Sequence, residues 1–167
     1  MHSEYFLTIA EIAVALAGFA GLIVAISRRQ GRPADGGQID FEFLINVLGG
    51  SFLAAGFALL PVTLFGMGIE FEMSLRISAG AYAVGVPVFQ LLTVPRTLAS
   101  FRAASRTVPI SYKINIALAS SFAFASGLCS VGITSTSVYY PSLLFLLFGA
   151  ASSFVRVFVS VARGSDV

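Results

Sequence analysis

Residues 5–26 read YFLTIAEIAVALAGFAGLIVAI and are followed, after Ser27, by Arg28 and Arg29. A helix of this length, at about 1.5 Å per residue, crosses the roughly 30 Å hydrocarbon core of a bilayer. Further apolar runs follow along the chain, and the predicted spans are about 5–27, 41–67, 76–95, 113–133 and 139–161. The sequence therefore predicts an all-α integral membrane protein, a five-transmembrane-helix bundle that forms one domain over residues 1–167.

The composition excludes an ordinary soluble domain. Hydrophobic residues make up 57% of the 167 residues and charged residues only 11%, whereas a soluble domain of this size needs a far more polar surface. The longest polar stretch, residues 27–40, is rich in Gly, Arg and Asp, and we predict that it forms a loop. The single cysteine, Cys129, lies in an apolar run, where a buried small hydrophobe is expected.

The positive charges orient the spans. With the N-terminus outside, Arg76 is the one cation on the outer side, and the other nine of the ten Lys and Arg residues fall inside: Arg28, Arg29, Arg32, Arg96, Arg102, Arg106, Lys113, Arg156 and Arg163. Short loops make the positive-inside rule applicable. A four-span alternative would drop the Ser-rich fourth segment, but it would place Arg156 and Arg163 outside. We therefore predict five spans, with the N-terminus outside and the C-terminus inside.

Several smaller features add detail to this topology. Proline residues Pro61 and Pro87 fall inside spans and predict bends, while Pro141 falls in the first turn of the fifth helix. Small residues on two faces of the first helix predict that it packs centrally. Tyrosines are expected at the membrane interfaces. Tyr112 is predicted at the inner edge, and the others at the outer edge are Tyr5, Tyr139 and Tyr140.

Glu11 is the most informative single side chain. It lies about 9 Å below the outer boundary of the first span, and an ionisable residue at that depth marks a buried site or a water-filled path. The functional interpretation is that Glu11 forms a proton or cation site. The structural alternative is a protonated carboxyl that hydrogen-bonds a neighbouring helix. Residues predicted at the same depth, and so candidate members of the site, are Thr63, Tyr82, Ser126 and Ser130.

A second polar layer is predicted near the inner boundary. Its members each lie about 5–8 Å inside the inner end of a span: Asn46, Gln90, Asn115 and Arg156. One interpretation is a polar constriction or coordinating ring. The other, which we favour, is hydrogen bonding between helices, with Arg156 extending its guanidinium to the interface.

The residues argue against several classes of function. The only histidine is His2, so no Ser-His-Asp or Cys-His set can form, and no His, Cys, Asp or Glu residues have metal-ligand spacing. The cations are dispersed without a basic face or interleaved aromatics, unlike a nucleic-acid interface. We therefore expect no enzymatic activity, no cofactor, no metal and no nucleic-acid partner.

Residues 10–21, AEIAVALAGFAG, resemble the first helix of small polytopic bacterial membrane proteins in which an acidic residue precedes a Gly-Phe-Ala-Gly-like stretch. This resemblance implies a bacterial plasma (inner) membrane location and brings no activity. A glutamate in the first helix is also similar to small multidrug resistance transporters. The chain departs from them in its length, in its five predicted spans and in its lack of tryptophan, so no functional residues are carried over.

The leading functional hypothesis is a homo-oligomer that passes an ion or small solute, with Glu11 at a buried polar site. It makes membrane lipids and further copies of the chain the expected partners. A second hypothesis is a non-catalytic structural subunit of a larger membrane protein complex. A third is a dimeric proton-coupled exporter.

Overall fold

The described part of the chain forms five long helices. The computed structural model describes residues 2–29, 34–103, 105 and 107–163. The helices are α1 (His2–Arg29), α2 (Ala34–Gly66), α3 (Phe71–Ala103), α4 (Ile110–Ser130) and α5 (Tyr139–Arg163), with a short 3-10 helix, Thr136–Val138, before α5. Within these described ranges there is no β-strand. The all-helical prediction is confirmed.

Helix α2 lies at the centre of the bundle and packs against α1, α3 and α5. Helix α4 packs against α3 and α5, and α1 packs against α2 and α5. The prediction of a central first helix is therefore wrong. One face of α1, including Ala13 and Ala20, is buried, whereas the small residues Gly18 and Gly21 on its other side face open space.

Among the residues that the structure describes, four helices are long and apolar enough to cross a membrane: α1, α2, α3 and the segment Thr136–Arg156, which includes most of α5. Among the described residues α4 does not reach that level of hydropathy, because Lys113, Asn115 and several serines interrupt its apolar residues. It nevertheless runs antiparallel to α3 along its length. Gln90 Nε2 donates to the Ile116 carbonyl, and a Cβ on Gly80 would lie 3.3 Å from the Ser130 side chain.

Helices α2 and α4 terminate at the same end of the bundle, each followed two residues later by a glycine. Gly68 and Gly132 have φ of 89° and 80°, a left-handed conformation that glycine adopts without a Cβ penalty. After α4, the Gly132 N–H donates to the Cys129 carbonyl and the Ile133 N–H to that of Leu128, which is the Schellman pattern. Helices α2 and α4 therefore end at Gly66 and Ser130, one and three residues before the predicted span ends.

At the opposite end, which we call the basic end, α1 finishes, α2 begins, α3 finishes, α4 begins and α5 finishes. The prediction of a loop over residues 27–40 is largely wrong there. Helix α1 continues to Arg29 and α2 already begins at Ala34, while residues 30–33 lie outside the described part of the chain. A polar segment remains helical once it leaves the apolar layer, because its backbone bonds are internal to the helix.

Helices α2 and α3 interlock through two aromatic rings set against two glycines. A Cβ on Gly85 of α3 would lie 2.6 Å from the ring of Phe57 on α2, and a Cβ on Gly49 of α2 would collide with the ring of Phe89 on α3. Only glycine leaves room for either ring, so these two positions set the close approach of the helices.

The largest core cluster lies toward the turns that contain Gly68 and Gly132. Its largest side chains are Phe6, Tyr82, Tyr139 and Leu143, each with 0% exposure. The rings of Tyr82 and Tyr139 meet edge to face with centroids 6.3 Å apart. Tyr139 is therefore a core residue and not the membrane-interface anchor that its sequence position predicts.

Candidate functional site

Three of the four residues of the inner polar layer line one cavity. Asn46 from α2, Gln90 from α3 and Asn115 from α4 border a space of about 100 Å³ among α2, α3, α4 and α5. All three side chains are half-buried. A water molecule needs about 10–15 Å³ of such space and polar partners, so the cavity has room for several waters or a small polar solute.

The amides at this cavity also bond neighbouring helices. Asn46 Nδ2 donates to Thr97 Oγ1 at 3.4 Å, across α2 and α3. Gln90 Nε2 donates to the Ile116 carbonyl at 3.3 Å, and its Oε1 accepts from the Ser120 hydroxyl at 3.1 Å. The layer therefore ties α3 to its two neighbours while it lines a cavity. It offers hydrogen-bonding groups without a formal charge.

Arg156 lies beside this cavity in a second space between α4 and α5. This cleft measures about 320 Å³ and shares Tyr112, Asn115, Phe145 and Ser153 with the first cavity. An Nη2 of Arg156 donates to the Ser111 hydroxyl at the start of α4. The geometry brings Arg156 next to Asn115, as depth counting predicts, but places its charge in the cleft.

Glu11 lies elsewhere. Its side chain is exposed on the outward face of α1, as are Glu4, Ala15 and Gly18 at helical spacing along the same stripe. No hydrogen bond or ion pair joins its carboxyl to the described residues of the chain. Within one copy Glu11 is therefore neither buried nor adjacent to the amide cavity, which is lined by α2–α5.

The residues that match Glu11 in depth do not gather around it. Thr63 is exposed and donates to the Leu60 carbonyl of its own helix. Ser130 donates to the Gly127 carbonyl. Tyr82 and Ser126 are fully buried and both bond to Ser142, through its carbonyl at 2.8 Å and its hydroxyl at 3.0 Å. Depth fixes a level in the membrane but not the side of a helix, so it could not predict these contacts.

Tyr82 and Ser126 belong instead to a buried hydroxyl cluster. Besides Tyr82 and Ser126 it contains Tyr139, Ser142 and Ser78, each with 0% exposure. Sequence reasoning did not select these last three. One signal was available for Tyr139, because Pro61 has no N–H and so leaves the Phe57 carbonyl without its helical donor. The Tyr139 hydroxyl donates to that carbonyl at 2.6 Å.

No protein-family model, curated protein or solved structure matches the chain. Among the described residues no group of three or more His, Cys, Asp or Glu side chains could hold a metal ion. The features available for a functional argument are therefore geometric. They are the amide cavity, the cleft that holds Arg156, and the outward position of Glu11.

Proposed function

We propose that the chain is a five-span membrane protein, with its N-terminus outside and its basic end inside, that assembles as a homo-oligomer and passes an ion or small solute. Glu11 lies on the surface shared between copies and lines the path. The observation that carries this proposal is the exposed position of Glu11 on α1. A bacterial inner membrane is the proposed location.

A carboxylate is costly in lipid. Ionised side chains at the centre of a bilayer cost about 3 kcal/mol on insertion scales, and they face protein or water-filled cavities in known structures. Glu11 lies more than two helical turns into α1, whose described segment Glu4–Ile23 is apolar enough to cross a membrane. Since the described residues of its own chain leave it exposed, a second copy that packs against this face would shield it.

The surface around Glu11 also suits contact between helices. Ala15 and Gly18 follow it on the same stripe, and a Cβ on Gly18 would meet nothing within 4 Å. Small residues on an outward face allow two helix backbones to approach closely in a membrane. Copies packed there would bring their Glu11 carboxyls together, which makes a hydrated path for a cation or a proton.

The five-span topology can be tested at the two turns that flank α4. In a Cys129→Ala background we expect a cysteine at Thr107 to react with a membrane-impermeant thiol reagent only from the cytoplasmic side. A cysteine at Ile133 should react only from the outside. Both positions are exposed. Labelling of both from one side would mean that α4 does not cross, which contradicts the five-span proposal.

The role of Glu11 can be tested by comparing Glu11→Gln with Glu4→Gln. The control makes the same chemical change on the same exposed stripe, but in the first turn of α1. In proteoliposomes we expect Glu11→Gln to lower cation or proton flux at least tenfold, because it removes the charge from the path, and Glu4→Gln to leave the flux nearly unchanged. Flux is read from an entrapped ion-sensitive or pH-sensitive dye.

The proposed contact between copies along the Glu11 face of α1 can be tested by disulfide cross-linking. Ala15→Cys in the Cys129→Ala background should form disulfide-linked dimers in membranes, whereas Val84→Cys, an exposed position on α3, should not. Equal flux in wild type and Glu11→Gln would contradict the conducting role. A single copy held with a different protein in native purification, without cross-linking at position 15, would favour the structural-subunit hypothesis instead.

A further inference from the structure

We propose that the cleft between α4 and α5 binds one anionic phospholipid, with the phosphate against Arg156 and Ser111 and an acyl chain along the apolar remainder of the cleft. This assignment rests on the membrane placement proposed above but not on conduction through the Glu11 surface. The cleft belongs to α4 and α5, whereas Glu11 belongs to α1.

The polar groups of the cleft lie at its basic end. Arg156 and Ser111 meet there, and Asn115 and Ser152 line the cleft about one turn deeper. Arginine presents five N–H donors in a planar fork that matches two oxygens of a phosphate, and it keeps its charge at any physiological pH. One donor contacts the Ser111 hydroxyl, so the guanidinium is already held at the wall of the cleft.

The other end of the cleft is apolar. Leu118 of α4 and Phe148 of α5 line it, with exposures of 43% and 67%. Phe148 lies eight residues before Arg156, which is about 12 Å along a helix. The cleft therefore changes from cationic to hydrocarbon over a distance that matches a lipid headgroup and the upper part of its chain. A soluble phosphate would leave the apolar half without a ligand.

The volume of the cleft and the charges around it are consistent with an anionic phospholipid. The cleft holds about 320 Å³, larger than the amide cavity and far more than one water requires. Lys113 on α4 and Arg102 at the end of α3 are exposed at the same end of the bundle. Basic pockets between membrane helices on the cytoplasmic side commonly bind anionic headgroups, and nearby cations raise the local concentration of such lipids.

The experiment uses the full chain in nanodiscs of phosphatidylcholine with a minor fraction of phosphatidylglycerol, and native mass spectrometry of the lipid that the released protein retains. We expect wild-type protein to retain phosphatidylglycerol in preference to phosphatidylcholine. Arg156→Gln should reduce this preference at least fivefold. The matched control is Arg96→Gln, which removes an exposed cation near the same end of the bundle but outside the cleft, and it should retain the preference.

A second variant guards against loss of folding in Arg156→Gln. Ser152→Leu keeps the cation and fills part of the cleft, and leucine favours a helix more than serine does, so the protein should fold and still lose the bound lipid. Equal losses in Arg156→Gln and Arg96→Gln would overturn the site in favour of general charge attraction. Unchanged retention in both cleft variants would also overturn it.

Inorganic phosphate distinguishes the two sources of the anion. In nanodiscs of phosphatidylcholine alone, added phosphate should not raise the melting temperature of the wild-type protein, whereas phosphatidylglycerol in the disc should raise it. If phosphate stabilises the protein equally and displaces the bound lipid, the cleft is a site for a soluble anion and the lipid assignment is wrong.

Discussion

Replacing Gly85 with leucine is expected to lower the free energy of unfolding by about 3 kcal/mol. A Cβ alone at this position would lie 2.6 Å from the Phe57 ring, and the remaining side-chain atoms would need space that α2 occupies. Overpacking of this kind typically costs about 1–3 kcal/mol, and leucine adds four carbons. The better helix propensity of leucine offsets less than about 1 kcal/mol of that cost.

The measurement is reversible unfolding in mixed micelles of dodecylmaltoside and sodium dodecyl sulfate. Gly56→Leu is the matched control, because a Cβ on Gly56 would meet nothing within 4 Å and this residue is exposed on α2. It should leave the unfolding free energy unchanged or slightly raised. A second variant, Gly85→Leu with Phe57→Ala, removes the ring and should recover part of the loss. Equal effects of leucine at positions 56 and 85 would contradict the interlocked interface.

Long apolar runs could be identified from the sequence because a helix that satisfies its own backbone bonds is the stable form of such a run in lipid. Their ends were less predictable. Helix α4 ends at Ser130 because Gly132 takes a left-handed conformation. The N–H groups of Gly132 and Ile133 then donate to the last free carbonyls of the helix. Residues 131–133 are as apolar as the helix before them, so hydropathy alone extends the span to 133.

The residues predicted for the inner polar layer lie close together in the structure, whereas those predicted to surround Glu11 do not. Asn46, Gln90 and Asn115 line a common cavity, since amides in an apolar bundle gain most when they bond to one another's helices. Depth alone places Glu11 level with Tyr82 and does not show which side of α1 Glu11 occupies. Helix α1 packs against α2 and α5 and turns Glu11 away from both. Which side of a helix faces its neighbours depends on packing that one sequence does not reveal.

The Tyr139 hydroxyl should stabilise the bundle by replacing a hydrogen bond that Pro61 removes. Pro61 has no N–H, so the Phe57 carbonyl lacks its helical donor, and the buried Tyr139 hydroxyl donates to it at 2.6 Å. In Tyr139→Phe the carbonyl loses this donor in a part-buried position within the bundle. An unsatisfied buried acceptor costs about 1–3 kcal/mol, and we expect a loss in that range in the same micellar unfolding assay. Tyr140→Phe, a half-buried neighbour on the same helix, should change the unfolding free energy far less.

A double-mutant cycle with Pro61→Ala separates the hydrogen bond from the general effect of losing a hydroxyl. Alanine at position 61 supplies an N–H to the Phe57 carbonyl, so that carbonyl keeps a donor when the Tyr139 hydroxyl is removed. Tyr139→Phe should therefore cost at least about 1 kcal/mol less in the Pro61→Ala background than in wild type, a coupling typical of residues that share one partner. The Tyr139 hydroxyl also interacts with Ser78, which is common to both backgrounds and cancels in the cycle. Equal costs in the two backgrounds would mean that the hydroxyl acts through Ser78 and not through the carbonyl freed by Pro61.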